Sequence, residues 1–184
     1  MPVSVIILAA GSSSRMGQSK QLLPWGNETL LGHAINTALQ CRADFVLVVL
    51  GHDEIAHRKA IAGFPVSTIV NPQWQKGIGS SIKEGLRSTI EADAVLFMTC
   101  DMPFVTADHL NKIIETDHPI VASKYEDAIG VPALFRKEMY DKLLRIRDDE
   151  GARKLILDHK PKVVDLKSGI DLDTPEDYQR ALSN

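Results

Sequence analysis

Short apolar runs that alternate with segments of helical periodicity constrain the fold of this chain more than any other feature of its sequence. The runs suited to buried strands are residues 3–8, 45–50, 66–70, 94–98, 119–122 and 162–166. Helical spacing of apolar residues covers 30–39, 54–62, 78–90, 106–115, 137–145 and 152–159. A last helix is expected from Pro175, with Thr174 as its N-cap. The alternation predicts an α/β fold, a single-domain three-layer sandwich in which a mostly parallel sheet carries helices on both faces.

The composition is typical of a globular protein, since 44% of the 184 residues are hydrophobic and 24% are charged. We therefore expect one substantial core and one domain over residues 1–184. The net charge of -3 indicates neither a nucleic-acid-binding protein nor a membrane-surface protein, although it is compatible with a local basic site.

The two cysteines, Cys41 and Cys100, are far apart and stand in apolar surroundings. They form neither a disulfide framework nor a metal-ligand spacing, which favours a cytoplasmic location. The apolar run at residues 3–10 lacks the basic segment that precedes the core of a signal peptide, so we expect no secretion signal. No stretch reaches the roughly eighteen apolar residues that a membrane span requires.

Three loops merit attention because ligands of open α/β sheets bind beyond the carboxyl ends of the strands. They are residues 11–26, 71–81 and 99–104. We expect all three to meet at one edge of the sheet.

The first of these loops begins G-S-S-S-R-M-G-Q-S-K, residues 11–20. It lacks the glycines of a dinucleotide fingerprint, and Met16 stands where a Walker loop has glycine. Its small residues let backbone N–H groups approach an anion, while Arg15 supplies a planar fork of donors and Lys20 a compact charge. The combination indicates a polyphosphate site, and the alternative is a solvated loop with two incidental cations.

An aspartate follows the fourth apolar run in the stretch T-C-D-M-P-F-V-T. At the carboxyl end of a central strand, Asp101 would face the ligand crevice. Because Mg²⁺ is usually held by one or two carboxylates together with substrate phosphates, we favour metal binding for this residue. Capping of the next helix is the alternative, but Thr106 or Asp108 is better placed for it.

The loop at residues 71–81 contains two glycines, Gly77 and Gly79, that permit close approach of another backbone or a ligand. Ser80 or Ser81 lies near a predicted helix start, and that N-terminus could hold an anion or the edge of a base. A turn followed by an ordinary N-cap explains the same residues equally well.

Several segments, in order along nearly the whole chain, resemble the MobA-like nucleotidyltransferase family and more narrowly its molybdenum-cofactor cytidylyltransferases. They are LAAGSSSRMGQSKQLLPWG, NPQWQKGIGSSIKEGL, TCDMPFVT, GVPALF, DDEGARKLI and DLDTPEDY. The first is highly specific in combination with the third, whereas GVPALF alone is weak. The resemblance implies a Rossmann-like nucleotidyltransferase fold.

The resemblance also implies a role for each candidate site residue. The backbone of Leu8, Ala9, Ala10 and Gly11 would line the base and ribose, and Gly77 and Ser81 would help to define the base. The triphosphate would be held by Ser12, Ser13, Ser14, Arg15 and Lys20. Arg15, Lys20 and Asp101 would be the catalytic residues, and Asp101 would bind Mg²⁺. Asp171 or Asp173 would approach the same metal, and we assign Asp173.

The implied activity is Mg²⁺-dependent transfer of CMP from CTP to the phosphate of molybdopterin, with release of pyrophosphate. Ala10 points to cytidine, because guanylyl-transferring relatives usually have glycine there, whereas Gly79 departs from the family's serine-richer form of that loop. The pterin is expected near residues 130–133. The product would support maturation of a molybdoenzyme, and a candidate client is one of the xanthine dehydrogenase type.

Two other functions are open on the sequence. The same scaffold could use another base or acceptor, such as GTP or a sugar phosphate. A non-catalytic accessory protein that binds the cofactor is the second, although the presence together of Arg15, Lys20 and Asp101 argues against a vestigial site. A NAD-binding oxidoreductase is a third possibility, which is disfavoured because the first loop lacks the glycines of the dinucleotide fingerprint.

Overall fold

Helices cover both faces of a seven-stranded sheet in the computed structural model of this chain, which describes residues 1–126, 128–166 and 171–183. In chain order the strands are β1 Val3–Ala9, β2 Pro24–Trp25, β3 Glu28–Thr29, β4 Phe45–Leu50, β5 Ser67–Val70, β6 Ala94–Thr99, β7 Ile120–Tyr125, β8 Ala128–Arg136 and β9 Lys162–Asp165. The helices are α1 Leu30–Leu39, α2 Glu54–Ala60, α3 Ile78–Ser88, α4 Ala107–Glu115, α5 Tyr140–Leu144, α6 Arg153–Asp158 and α7 Pro175–Leu182. Strands β2 and β3 form a separate two-stranded ribbon.

The order of the large sheet is β5-β4-β1-β6-β8-β7-β9. Strands β5, β4, β1 and β6 are parallel to one another, so their carboxyl ends lie at one edge of the sheet. Strand β8 runs antiparallel to β6 and β7. The predicted single α/β domain with a mostly parallel sheet is confirmed. Among the described helices, none combines the length and the apolar run that crossing a bilayer requires.

The nearly continuous apolar run of β1, interrupted only by Ser4, is explained by burial on both faces of the strand. Val5 and Ile7 point to the layer formed by α1 and α4, whereas Ile6 and Leu8 point to the opposite layer, formed by α3, α5 and α6. Successive side chains of a strand face opposite sides, so a strand covered on both sides needs apolar residues throughout. Burying each such side chain contributes about 1.5–3 kcal/mol relative to leaving it exposed.

Strand β8 was not predicted, because Gly130 and Pro132 interrupt its apolar run and proline cannot donate to a strand ladder. The structure accommodates the proline at an irregularity in the pairing with β7. Ala122 pairs with Ala133 and the next residue, Ser123, pairs with Gly130, which leaves residues 131 and 132 outside the ladder. The Ser123 hydroxyl donates to the Pro132 carbonyl at 2.8 Å and satisfies it there.

Besides the two apolar layers that cover the faces of the sheet, a third apolar cluster joins the segment after β1 to the C-terminal helix. Met16, Leu23 and Leu30 pack there with Leu172 and Ala181. Thr174 caps α7 as predicted, through a reciprocal pair of hydrogen bonds with a residue of the first turn of that helix. The cluster therefore holds the segment just before α7 against the loop that follows β1.

Candidate functional site

A cavity of about 390 Å³ opens at the carboxyl edge of the sheet. The three loops singled out in the sequence all contribute to its wall, as predicted from the direction of the strands. Its size is in the range of small-molecule sites. The lining residues are Leu8, Ala10, Gly11, Ser12, Ser13, Ser14, Arg15, Met16, Lys20, Gln21, Trp74, Gln75, Gly77, Ile78, Ser81, Thr99, Cys100, Asp101 and Asp173.

The residues assigned a site role from the sequence therefore line one cavity except for Ala9, whereas Asp171, the alternative metal ligand, and residues 130–133, where the pterin was expected, are not part of its wall. Ala9 is buried within β1 and lies outside the cavity wall. Its contribution is internal, since its carbonyl accepts a hydrogen bond from the Gln21 amide at 3.3 Å. Gly11 has open space where a side chain would begin, so its backbone can be approached closely by a ligand.

Two cations, Arg15 and Lys20, and two carboxylates, Asp101 and Asp173, meet in the wall of the cavity. The Lys20 Nζ lies 2.5 Å from Asp101 Oδ2 and 3.4 Å from Asp173 Oδ1. Arg15 Nη1 lies 2.9 Å from Asp173 Oδ2. The Lys20 and Asp101 side chains are largely buried, whereas 72% of the Arg15 side chain is exposed. An exposed pair of this kind adds little stability, so Arg15 is free to turn toward a ligand.

Asp173 reaches this cluster through the segment that the third apolar cluster anchors. The neighbouring Leu172 is fully buried, and its N–H donates to the Asp101 carbonyl at 2.9 Å. The sequence left open whether Asp173 belongs to the cap of α7. The carboxylate that completes that cap is Asp177, which leaves Asp173 to face the cavity.

The donor set fits a divalent cation. Asp101 Oδ1 is buried and has no hydrogen-bond partner among the described residues, so one carboxylate oxygen is available. Partial desolvation and the negative charges of Asp101 and Asp173 raise the pKa of Asp171 to about 6, although Lys20 opposes the shift. Within the described part of the chain, no three acidic, histidine or cysteine side chains form a ready metal cage. Such a site suits Mg²⁺, which is commonly held by one or two carboxylates plus substrate phosphates.

The protonation states of two neighbouring groups follow from their surroundings. Burial alone would lower the pKa of Lys20, but the charge and hydrogen bond of Asp101 outweigh it and raise that pKa. Lys20 is therefore a cation at neutral pH. Burial and the adjacent Asp101 raise the pKa of the Cys100 thiol to about 12, so this cysteine is not a nucleophile.

The sequence left open whether the N-terminus of α3 holds an anion or is an ordinary turn and cap, and the structure shows that the N–H groups of Gly79 and Ser80 are already bonded to the protein's own backbone. Both Gly79 and Ser80 donate to the carbonyl of Asp148, at 2.9 and 3.4 Å. Lys83 of α3 pairs with the Asp148 carboxylate as well. The segment 147–150 thus caps the helix. Gly77 and Gly79 permit a close approach of the backbone of this segment. Gly77, Ile78 and Ser81 still contribute to the cavity wall.

Gly79→Ala is expected to destabilise the protein by about 1–3 kcal/mol, the usual cost of overpacking. A Cβ at this position would lie 2.0 Å from the Arg147 carbonyl oxygen and 2.6 Å from that of Glu150, so backbone must move. Urea unfolding measures the loss. Gly63→Ala is the matched control, because a Cβ there meets nothing within 4 Å. Equal stability of the two variants would show that segment 147–150 does not dock on α3.

Several residues of the cavity wall were not singled out from the sequence. Trp74 lies in the candidate ligand loop at 71–81. Its ring packs edge-on against the His52 ring, with 5.2 Å between the ring centroids. Gln21 directly follows Lys20 and is 2% exposed. A buried glutamine has no signature in composition or periodicity, so only the fold reveals it.

The sequence matches the family described as the MobA-like NTP transferase domain over residues 5–163. The purine catabolism protein PucB of Bacillus subtilis (strain 168) is 31% identical, with 97% of this chain and 96% of that protein aligned. The molybdenum cofactor cytidylyltransferase of Escherichia coli (strain K12) is 28% identical, with 96% and 93% aligned. The bifunctional protein GlmU of Halorhodospira halophila is 34% identical over 86% of this chain, which spans only 32% of GlmU.

The same fold is found in solved structures. The protein Rv0371c of Mycobacterium tuberculosis H37Rv superposes with a TM-score of 0.91 at 30% identity, with 100% of this chain and 98% of that chain covered. Its complex with manganese superposes with a TM-score of 0.87 at 29% identity and covers 100% of both chains. The chain belongs to the MobA-like NTP transferase family and is a nucleotidyltransferase.

Proposed function

We propose that this MobA-like nucleotidyltransferase, acting as one domain over residues 1–184, transfers CMP from CTP to the phosphate of a molybdopterin-type acceptor and releases pyrophosphate. The observation that carries the proposal is the convergence of the glycine–serine loop (residues 11–20) and Asp101 on one cavity. The loop would offer backbone N–H groups and two cations to the triphosphate, and the carboxylate of Asp101 would be a ligand for the metal that accompanies the nucleotide. The similarity to a cytidylyltransferase over nearly its whole length supports the same class of substrate.

The chemistry needs little from the protein beyond positioning and charge. An oxygen of the acceptor phosphate attacks the α-phosphorus of CTP, a P–O–P bridge forms, and the bond to the bridging oxygen of pyrophosphate breaks. Because the second pKa of a phosphate monoester is about 6, the nucleophile is already deprotonated near neutral pH. No general base is required, and catalysis rests on alignment and on charge neutralisation.

Lys20 and Arg15 perform that neutralisation. Lys20 stands beside Asp101 in the cavity wall, where it would hold the triphosphate, and the exposed Arg15 would turn from Asp173 to the leaving pyrophosphate. Asp101 and Asp173 would hold Mg²⁺, which supplies electrostatic polarisation of the phosphate oxygens when bound. Manganese in a structural relative is compatible with a divalent ion at such a site.

Cytidine is proposed as the base because of Ala10. Ala10, at the end of β1, lines the cavity at the position where the guanylyl-transferring relatives usually have glycine. Ser81 also lines it, and its oxygen accepts from the Asn71 amide at 3.0 Å. A hydroxyl that already accepts keeps its proton for an acceptor atom of a ligand, so Ser81 is placed to contact a base but does not by itself select cytosine.

The client is proposed to be a molybdoenzyme of the xanthine dehydrogenase type. Xanthine is a purine, so the name of the relative from Bacillus subtilis, a purine catabolism protein, is compatible with that client. The similarity to GlmU favours a second candidate, in which the same site serves a different phosphorylated acceptor such as a sugar phosphate. Pyrophosphate release with a molybdopterin acceptor and with a panel of sugar 1-phosphates separates the two.

Nucleotide binding is tested by the melting temperature with ATP, CTP, GTP or UTP, each with and without Mg²⁺. A ligand at a hundred times its Kd stabilises the native state by about 2.7 kcal/mol, which corresponds to a rise of about 5–10 °C for a domain of this size. We expect CTP with Mg²⁺ to give that rise. Asp101→Asn, tested in parallel, should lose the Mg²⁺-dependent part.

Each other outcome contradicts a defined part of the proposal. A larger rise in melting temperature with GTP than with CTP would be compatible with the family but would overturn the proposal that the base is cytosine. A response to no nucleotide, with or without Mg²⁺, would overturn the enzymatic proposal in favour of an accessory protein that binds the cofactor.

A further inference from the structure

A buried amide stands at the end of the glycine–serine loop. Gln21 uses its full hydrogen-bonding capacity, which is two donors and two acceptor sites. Its Nε2 donates to the Gly11 carbonyl at 2.8 Å and to the Ala9 carbonyl at 3.3 Å. Its Oε1 accepts from the hydroxyls of Ser13 at 3.0 Å and Ser19 at 2.9 Å. Because the carbonyl oxygens of Ala9 and Gly11 can only accept hydrogen bonds, the Gln21 amide must point its Nε2 toward them, which fixes its orientation.

A buried histidine extends this network into α2. His57 is fully buried, and its Nε2 lies 2.7 Å from Ser19 Oγ. Since the single Ser19 hydroxyl proton is donated to Gln21, the proton between serine and histidine must belong to His57 Nε2. Burial, opposed by the charge of Asp53, lowers the pKa of His57, in agreement with a neutral ring. The other nitrogen, Nδ1, is buried and has no partner among the described residues.

The network fastens the loop at both of its ends. Gly11, Ser13 and Ser19 are all held by one side chain, and Ser13 Oγ also accepts from the Lys20 N–H at 3.2 Å. Lys20 directly precedes Gln21 in the short 3-10 turn at Lys20–Leu22. The two ends of the loop, including the backbone of Lys20, are therefore held in place before any ligand arrives.

We propose that Gln21 is a positioning residue that shapes the glycine–serine loop for the triphosphate, and that His57 steadies it through Ser19 as a neutral ring protonated on Nε2. The inference rests on the proposed function, because it assumes that the loop binds a nucleotide. Neither side chain reacts. They act by placing Lys20 and the two ends of the glycine–serine loop where a polyphosphate needs them.

The test compares Gln21→Met, which keeps the volume but cannot hydrogen bond, with the control Gln179→Met on the exposed face of α7. Because a displacement of about 1 Å in a positioned group can cost about 100-fold, we expect kcat/KM for CTP with Mg²⁺ to fall about 10- to 100-fold in Gln21→Met, with KM raised and kcat lowered. The control should match the wild type. A merely structural role would lower the melting temperature and leave both constants of the folded protein unchanged, and that result would overturn the proposal.

Ser19→Ala gives a second measurement, in case Gln21→Met does not fold. It removes the link between His57 and Gln21, and we expect a smaller loss of kcat/KM, about tenfold. Nitrogen-15 spectra of the imidazoles should show His57 neutral with its proton on Nε2 in the wild type, and a mixture of tautomers in Ser19→Ala. A proton on Nδ1 in the wild type would overturn the proposed network.

Failure of this inference is distinguishable from failure of the proposed function. Wild-type protein that binds no nucleotide contradicts the proposed function, whatever the variants do. Wild-type protein that binds CTP with Mg²⁺ while Ser19→Ala and Gln21→Met match it in KM and kcat contradicts only the positioning role.

Discussion

Asp101→Asn is expected to lower the rate of pyrophosphate release by about 100- to 1000-fold, the usual loss when one preorganised electrostatic group is removed from an active site. Asparagine has nearly the same shape as aspartate, so the fold should be retained. What it lacks is the negative charge that pairs with Lys20 and the carboxylate oxygen Oδ1, which is buried and has no partner among the described residues. The loss should therefore appear in turnover and in the response to Mg²⁺.

Asp108→Asn is the matched control for this result, because it makes the same chemical change at an exposed position in the first turn of α4. Turnover and Mg²⁺-dependent stabilisation should both stay near the wild type in the control. If Asp101→Asn kept wild-type turnover, Asp101 would have been wrongly assigned to the metal. If it lost turnover but kept the full Mg²⁺ response, the metal would be held elsewhere.

The sheet could be predicted from the sequence wherever a run is apolar throughout or nearly so, as in β1, β4 and β6. Burial on both faces leaves an unambiguous pattern there. β8 escaped prediction because Pro132 normally excludes a central strand, and only the irregular pairing with β7 makes room for it. That exception depends on contacts with residues distant in sequence, which periodicity cannot register.

The site was predictable to the extent that it follows from strand direction and charge. The loops at 11–26, 71–81 and 99–104 meet because parallel strands end at the same edge. The docking of segment 147–150 on α3 was not predictable, since its contacts with Gly79 are made by backbone. The hydrogen-bond network of Gln21 was not predictable either, because glutamine is usually a surface residue. Its burial here depends on four partners that lie in or beside the loop.

Lys20→Ala is expected to separate two roles of this lysine, because it should lower turnover and strengthen the binding of free metal. Turnover should fall about 100- to 1000-fold, since the charge that would stabilise the leaving pyrophosphate is removed. Without nucleotide, however, the Lys20 ammonium lies 2.5 Å from Asp101 and 3.4 Å from Asp173, so it competes with a metal for the same carboxylates. Pyrophosphate release measures the first effect, and titration with Mn²⁺ followed by electron paramagnetic resonance measures the second.

The expected gain in Mn²⁺ affinity is on the order of tenfold, because unit charges about 4 Å apart near a protein surface interact by about 1–4 kcal/mol. Lys59→Ala, which removes an exposed lysine from α2, should change neither readout. Turnover and free-metal affinity that fell together would mean that Lys20 supports the metal site instead of competing with it. Opposite signs of the two effects would indicate that Lys20 competes with the metal for Asp101 and Asp173, so that a triphosphate that binds Lys20 would leave these carboxylates available to hold the metal.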